Sequence, residues 1–240
     1  MTSGDNHHDW REDMSYHQMS LDVLALMEKL NFKKVVLIGH SMGGKVAKAL
    51  ALSHPHRVSG LVVLDIAPVT YTVQDPAWNA VKGIIDTLVT IDLSPEKTKR
   101  DIEMDLRKKV EDPALRAFVL TNLDSATKGQ DQLRWKINIQ SIASQLDIIA
   151  GFDFAANGDV NDNQPTTLPT TKETPDITKY QGDTFFINGG SSRFVKGVHM
   201  PVIAEYFPNY MLTTIRGAGH WVHAEAPDDT LALLKRYLDR

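Results

Sequence analysis

Three local signals stand in a row between residues 35 and 65, and together they leave few topologies open. Val35-Val36-Leu37-Ile38 is an unbroken β-branched and aliphatic run, the pattern of a strand buried on both faces. The run breaks at Gly39-His40-Ser41-Met42-Gly43. A helical pattern follows, with Val46, Ala47, Leu50 and Ala51 on one face, as far as about Ser53, and Pro55 ends it. Leu61-Val62-Val63-Leu64 is a second apolar run, closed by Asp65. Strand, helix and strand in so short a stretch make a βαβ unit, which requires parallel strands joined by a crossover helix. An α/β class chain with a mostly parallel sheet is the expectation.

The rest of the chain extends this unit and interrupts it. Ser15-Tyr16-His17-Gln18 has the form of a capping box, and Leu24, Met27 and Leu30 follow at helical spacing, so a helix is expected over about 16–30 with Asn31 as its stop. From residue 67 to 154 strand signals nearly vanish. Ser94-Pro95 reads as the start of a helix carrying Ile102, Leu106 and Val110, and Asp112-Pro113 as the start of another carrying Leu115, Val119 and Leu123. Residues 155–179 are polar and rich in Asn, Asp, Thr and Pro, the composition of a mobile surface loop. Sheet signals return at Thr184-Phe185-Phe186-Ile187 and from Met211 to Ile215, and a closing helix is expected from Pro227 to Leu238 with Leu231, Leu234 and Leu238 inward. The expected organisation is a core of 1–66 and 180–240, a helical cap inserted at 67–154, and a flexible loop at 155–179.

Composition narrows the chemistry. The 240 residues contain no cysteine, which excludes disulfides, thiolate catalysis and Cys-based metal centres. A net charge of −4 with no basic patch gives no electrostatic footprint for nucleic acid. No apolar run approaches the ~18 residues of a membrane span, so no transmembrane segment is expected. The opening MTSGDNHHDWRED resembles neither a signal nor a transit peptide.

Gly39-His40-Ser41-Met42-Gly43 matches G-x-S-x-G. Five residues in that pattern are weak evidence, but their place between a buried strand and a helix is that of a nucleophile elbow. There the glycines are needed because the serine backbone is strained and passing chain leaves no room for a Cβ. The turn presents the Ser41 hydroxyl at the carboxyl edge of the sheet and aims the N–H of Met42 at a developing oxyanion. A serine nucleophile needs a histidine base. Of nine histidines, His7, His8 and His17 lie in polar sequence and His54 and His56 at a helix end. His220, in Gly217-Ala218-Gly219-His220-Trp221-Val222-His223, follows the last strand and precedes the last helix, where the order Ser, acid, His requires the base. His223 is its nearest rival. The pair His220-x-x-His223 has no acidic partner pattern for zinc, so no metal and no cofactor is expected. For the orienting carboxylate, the loop after the 184–187 strand offers Asn188-Gly189-Gly190-Ser191-Ser192-Arg193-Phe194, without an acid, and Asp183 lies at the other end of the sheet. Asp65 ends the strand beside the elbow strand and is the candidate, with a plain turn role before Ala67-Pro68 as the alternative. An Asp nucleophile of the dehalogenase kind is disfavoured because position 41 is serine.

Taken together, Met14-Ser15-Tyr16, Gly39-His40-Ser41-Met42-Gly43-Gly44-Lys45, Leu64-Asp65-Ile66-Ala67-Pro68-Val69, Trp135-Lys136-Ile137-Asn138, Gly189-Gly190-Ser191-Ser192-Arg193-Phe194-Val195 and Gly217 to His223 resemble the α/β-hydrolase superfamily, most of all the small bacterial esterases and their mitochondrial relatives. The resemblance runs from about residue 14 to the end. It implies hydrolysis of carboxylic esters or acyl thioesters through an acyl-enzyme, with Asp65 as the triad acid; the substrate is expected to be a small acyl ester or thioester, in an acyl pocket shaped by the helical cap of about 67–154. It also implies a cytoplasmic or mitochondrial setting. Two features depart from it: the long loop at 155–179, and the start. Forty residues precede Ser41, too few for four further strands of ~5 residues with their connections. N-terminal strands are therefore expected to be missing, with an apolar sheet edge exposed and one oxyanion donor lost. The competing expectation is a truncated, catalytically weak or dead binding or regulatory protein on the same fold.

Overall fold

The computed structural model describes residues 13–124, 133–152 and 179–240. These fall into two compact units, one of residues up to 18 with 71–150, the other of 19–70 with 151–240. Of the expected polar loop only Lys179 lies within the described residues; His7 and His8 lie outside them.

The first helix, α1 (Tyr16–Lys29), starts as its sequence requires, with the Ser15 hydroxyl accepting the N–H of Gln18 at 3.2 Å. It ends in a Schellman motif. Asn31 takes the left-handed conformation (φ 57°), its N–H bonds Glu28 O, and the N–H of Phe32 reaches back to Met27 O. Met19 and Met27 are buried, whereas Leu30, expected inward, is exposed.

The larger unit is built on a four-stranded, wholly parallel sheet. Strand β1 (Val35–His40) leads through α2 (Met42–Ser53) to β2 (Val58–Leu64). The order is completed, beyond the helical insertion, by two later strands paired on the far side of β2. β1 is therefore an edge, and Val36 and Ile38 are 38% and 46% exposed. This corrects the reading of Val35 to Ile38 as buried on both faces: the residue types suit an interior strand, but β1 pairs on one side only among the described residues. α2 departs in the opposite sense. It is buried all round from Gly44 to Leu52, including Lys45 and Lys48. Lys48 Nζ donates to Ile66 O at 3.1 Å and lies 5.0 Å from the Phe152 ring centre, and burial holds its amine well below the usual lysine range.

The other unit is helical. α3 (Pro76–Thr90), α4 (Lys99–Arg107) and α5 (Pro113–Thr121) bury Leu88, Ile102, Leu106, Val110 and Val119 in one cluster with Leu123 and Ile139. Asp112 caps α5, as expected from its Asp-Pro step. The expected helix start at Ser94-Pro95 is wrong. Asp92 takes the Ser94 N–H and hydroxyl, the chain makes a turn, and α4 begins four residues later under a capping box between Thr98 and Asp101. A short antiparallel pair, β3 (Leu123–Asp124) with β4 (Arg134–Trp135), and the short helices α6 (Ile139–Ser144) and α7 (Leu146–Ala150) follow.

Back in the sheet unit, β5 (Thr184–Gly189) pairs with β2, and β6 (Tyr210–Ile215) pairs with β5 after α8 (Met200–Tyr206). The chain finishes through α9 (Val222–Glu225) and α10 (Pro227–Leu238). Leu231 and Leu238 are half exposed, so the expected inward face of α10 is also corrected. Thr230 and Tyr237 are buried, with Leu233 and Leu234 partly so, and Tyr237 is the anchor. Its ring stacks on Phe185 at 5.7 Å, and its hydroxyl donates to Asp183 O and accepts the N–H of Leu61. The leucine spacing suggested one stripe, but the side chain able to satisfy strand-end backbone groups defines another.

Candidate active site

The four parallel strands all point their carboxyl ends one way, which brings loops far apart in sequence to one edge. Ser41 follows β1, Asp65 follows β2, Ser192 follows β5 and His220 follows β6. Ser41 sits in the left-handed region (φ 50°, ψ −119°), the strained conformation of a strand-to-helix turn. Its own N–H bonds Leu64 O on the neighbouring strand, tying the turn to β2. A Cβ on Gly39 would come within 2.3 Å of Gly43 O, and one on Gly44 within 2.7 Å of the Ile66 side chain, whereas one on Gly43 would meet nothing within 4 Å. The crowding expected at Gly39 and Gly43 is thus found at Gly39 and Gly44. Met42 opens α2, and the first intrahelical bond runs from Lys45 N to Ser41 O. Its N–H is one of the first-turn donors without an intrahelical acceptor.

Asp65 also takes the left-handed region (φ 52°), with its N–H bonded to Ile187 O. Its carboxylate is fully buried. Oδ1 accepts the Gly189 N–H at 3.0 Å, and Oδ2 accepts both the Ser192 hydroxyl, in a short contact, and the His220 Nδ1–H at 2.7 Å. The other ring nitrogen of His220, Nε2, lies 2.9 Å from Ser41 Oγ. Ser41, His220 and Asp65 thus form one hydrogen-bonded line. Asp183 lies at the opposite end of the sheet, where its carbonyl serves Leu61 and Tyr237.

Ser192 gave no sequence signal of its own beyond its place in the loop after β5; its link to Asp65 spans 127 positions. His223, the rival base, contacts His40 edge to face at 4.6 Å rather than the serine. His40 occupies the variable position of G-x-S-x-G, where the motif gives no signal of a role. Its Nε2–H donates to the carbonyl of His220 at 2.8 Å, and burial, only partly offset by that bond, lowers its pKa to about 4. A folded-state value below the unfolded one means that the unfolded chain binds the proton first. Stability from this group is therefore complete above about 6.5, the ordinary histidine value, and is lost as pH falls towards 4. The melting temperature of a His40→Gln variant is expected to fall less steeply than the wild type's between pH 7 and 4.5, as read by differential scanning calorimetry.

Among the described residues, no group of three metal-ligating side chains is placed to hold an ion, and no helix is long and apolar enough to cross a membrane.

A strained serine at a strand-to-helix turn, linked through histidine to a buried carboxylate over a parallel sheet edge, defines the α/β-hydrolase class of architecture. Comparison with known proteins agrees. Residues 2–100 match the family model described as the alpha/beta hydrolase fold. The chain is 32% identical to the mouse (Mus musculus) protein named sn-1-specific diacylglycerol lipase ABHD11, over 98% of this chain and 68% of that protein. It is 31% identical to a protein of Haemophilus influenzae named putative esterase/lipase, over 95% and 69%. The zebrafish (Danio rerio) protein of the same name as the mouse one is 33% identical, and there the chain covers 94% of its own length but only 63% of the relative's. A solved structure titled marine microorganism esterase superimposes with a TM-score of 0.81 at 32% identity, covering 96% of this chain and 80% of that one. The chain belongs to the α/β-hydrolase family. The names of these relatives are those of esterases and lipases.

Proposed function

We propose that the protein hydrolyses carboxylic esters or acyl thioesters through an acyl-enzyme. The observation that carries this reading is the unbroken line from Ser41 Oγ through both nitrogens of His220 to the buried carboxylate of Asp65. Ser41 Oγ attacks the acyl carbonyl carbon while His220 Nε2 removes its proton. Asp65 fixes the tautomer that keeps Nε2 unprotonated and stabilises the imidazolium that forms. The oxyanion faces the N–H of Met42. Collapse of the tetrahedral intermediate expels the alcohol or thiol, which takes the proton from Nε2 and leaves Ser41 acylated. A water molecule, deprotonated by the same nitrogen, then attacks the acyl carbonyl. The carboxylic acid leaves, and the proton returns to Ser41 Oγ.

The names of the relatives make diacylglycerol the first natural substrate to assay, beside short p-nitrophenyl esters and an acyl thioester. A fluorophosphonate probe is expected to label the wild type covalently and leave Ser41→Ala unlabelled, read by intact-protein mass spectrometry. Equal labelling of the two overturns the reading.

A further inference from the structure

A base between a nucleophile and a carboxylate works only if its ring is held to a few tenths of an ångström, and side-chain bonds fix only one end of that ring's linkage to the chain. In this protein the backbone on either side of His220 is held as well. The Glu225 carboxylate accepts the N–H of Gly219 through Oε2 at 2.6 Å and the N–H of Trp221 through Oε1 at 3.0 Å. One side chain thus bonds the residue before His220 and the residue after it. The carbonyl of His220 accepts the His40 Nε2–H at 2.8 Å. The ring is flanked by His40 at 4.7 Å and by Phe194 at 4.1 Å between ring centres. The loop is further seated on the end of β5, where Ser191 N–H bonds Ala218 O and a Cβ on Gly189 would fall 2.0 Å from Gly219 O.

We propose that Glu225 and His40 form a backbone clamp on His220 and are positioning residues for the base. The clamp rests on the reading of Ser41, His220 and Asp65 as the triad and adds two residues that touch no reacting atom. Glu225 sets where the 219–221 segment stands over the sheet edge. His40 is the neighbour of the nucleophile in sequence and bonds the base's own carbonyl, so it couples the height of the serine turn to the height of the imidazole. A fault in either residue moves the ring without removing it.

The test uses the full chain and two readouts. The first is the low-field proton resonance of the His220 Nδ1–H held by Asp65. The second is the rate of fluorophosphonate labelling, with kcat and KM for a p-nitrophenyl ester where turnover is measurable. Glu225→Ala and His40→Ala are expected to broaden or lose the low-field resonance. They are expected to slow labelling and kcat about ten- to hundred-fold, the scale of a sub-ångström to 1 Å misplacement, with KM little changed. Glu225→Gln, equal in size and still able to accept one of the two N–H groups, is expected to fall between wild type and Glu225→Ala. His40→Gln, which can still donate to the carbonyl, is expected to do the same for its site. If the alanine variants do not fold, these two conservative variants decide.

Wild-type resonance and labelling rate in the variants overturn the clamp, as does a wild type lacking a protected His220 Nδ1–H. A wild type that shows the resonance but neither labels nor hydrolyses esters overturns the catalytic reading alone. The clamp then stands or falls on whether Glu225→Ala abolishes the signal.

Discussion

An Asp65→Asn variant is expected to keep its fold and lose about four orders of magnitude in kcat for ester hydrolysis, with KM nearly unchanged. The reason lies in the donor inventory around the carboxylate. Every group facing Asp65 donates: the Gly189 N–H to Oδ1, and the Ser192 hydroxyl and His220 Nδ1–H to Oδ2. An amide keeps one acceptor and brings two donors. With its oxygen toward Gly189, the amide nitrogen faces His220 and forces Nδ1 to become the acceptor. The proton then sits on Nε2, facing Ser41, and the imidazole has no lone pair with which to take the serine's proton. The flipped amide sets two donors against each other at Gly189 in a fully buried position, a cost of about 1–3 kcal/mol. Initial rates on a p-nitrophenyl ester, beside a thermal melt to confirm folding, check the outcome. A kcat within ten-fold of wild type removes Asp65 from the triad.

Gly39→Ala is expected to be the most damaging single-methyl addition in the turn, and Gly43→Ala, four residues on in the same motif, to be nearly silent for stability. At Gly39 the new carbon meets Gly43 O at 2.3 Å, Gly43 C at 2.5 Å and Gly44 N at 2.7 Å, all backbone atoms of the turn itself. No rotamer change relieves such contacts, so the elbow must open. Overpacking of side chains costs about 1–3 kcal/mol, and a backbone clash belongs at or above the top of that range. That is a large part of the ~5–15 kcal/mol that holds an ordinary domain together. Gly43 has free space for a Cβ. Melting temperatures of the two purified variants test this. Equal destabilisation of both, or of neither, contradicts the asymmetry.

That asymmetry shows where sequence reading succeeds and stops. The elbow, its flanking strands and Ser41 were legible because strand, turn and helix are local: apolar runs, glycines and a proline within the 30 residues from Val35 to Leu64 specify them. His220 and Asp65 were legible at one remove, because parallel strands place loops at a common edge whatever the intervening chain. Which glycine is crowded was not legible, since that depends on Ile66 and Gly44 meeting across the crossover. Ser192, His40 and Glu225 were missed for related reasons. The first two act on residues 127 and 180 positions away, and no period or spacing signals such a bond. Glu225 is near His220 in sequence but reads as one more acidic residue of a helix. At Ser94-Pro95 and along α10 a good local pattern, a Ser-Pro start and a leucine stripe, is overruled by other contacts. Asp92 and Tyr237 offered better bonds in each case.

The arrangement of the sheet has a bearing on when chemistry can begin. Ser41 and His220 are 179 positions apart, and between them lie β2, the whole helical insertion and both remaining strands. During synthesis the serine leaves the ribosome long before its base, and the helical insertion can condense first on its own local contacts. Throughout that interval the hydroxyl lacks the base that the proposed mechanism assigns to it. On the mechanism proposed above, hydrolytic competence would require that β6 has docked and the loop after it has closed over the sheet. On the proposed mechanism, the nascent chain is therefore chemically silent towards acyl compounds until the segment carrying His220 has been made and docked.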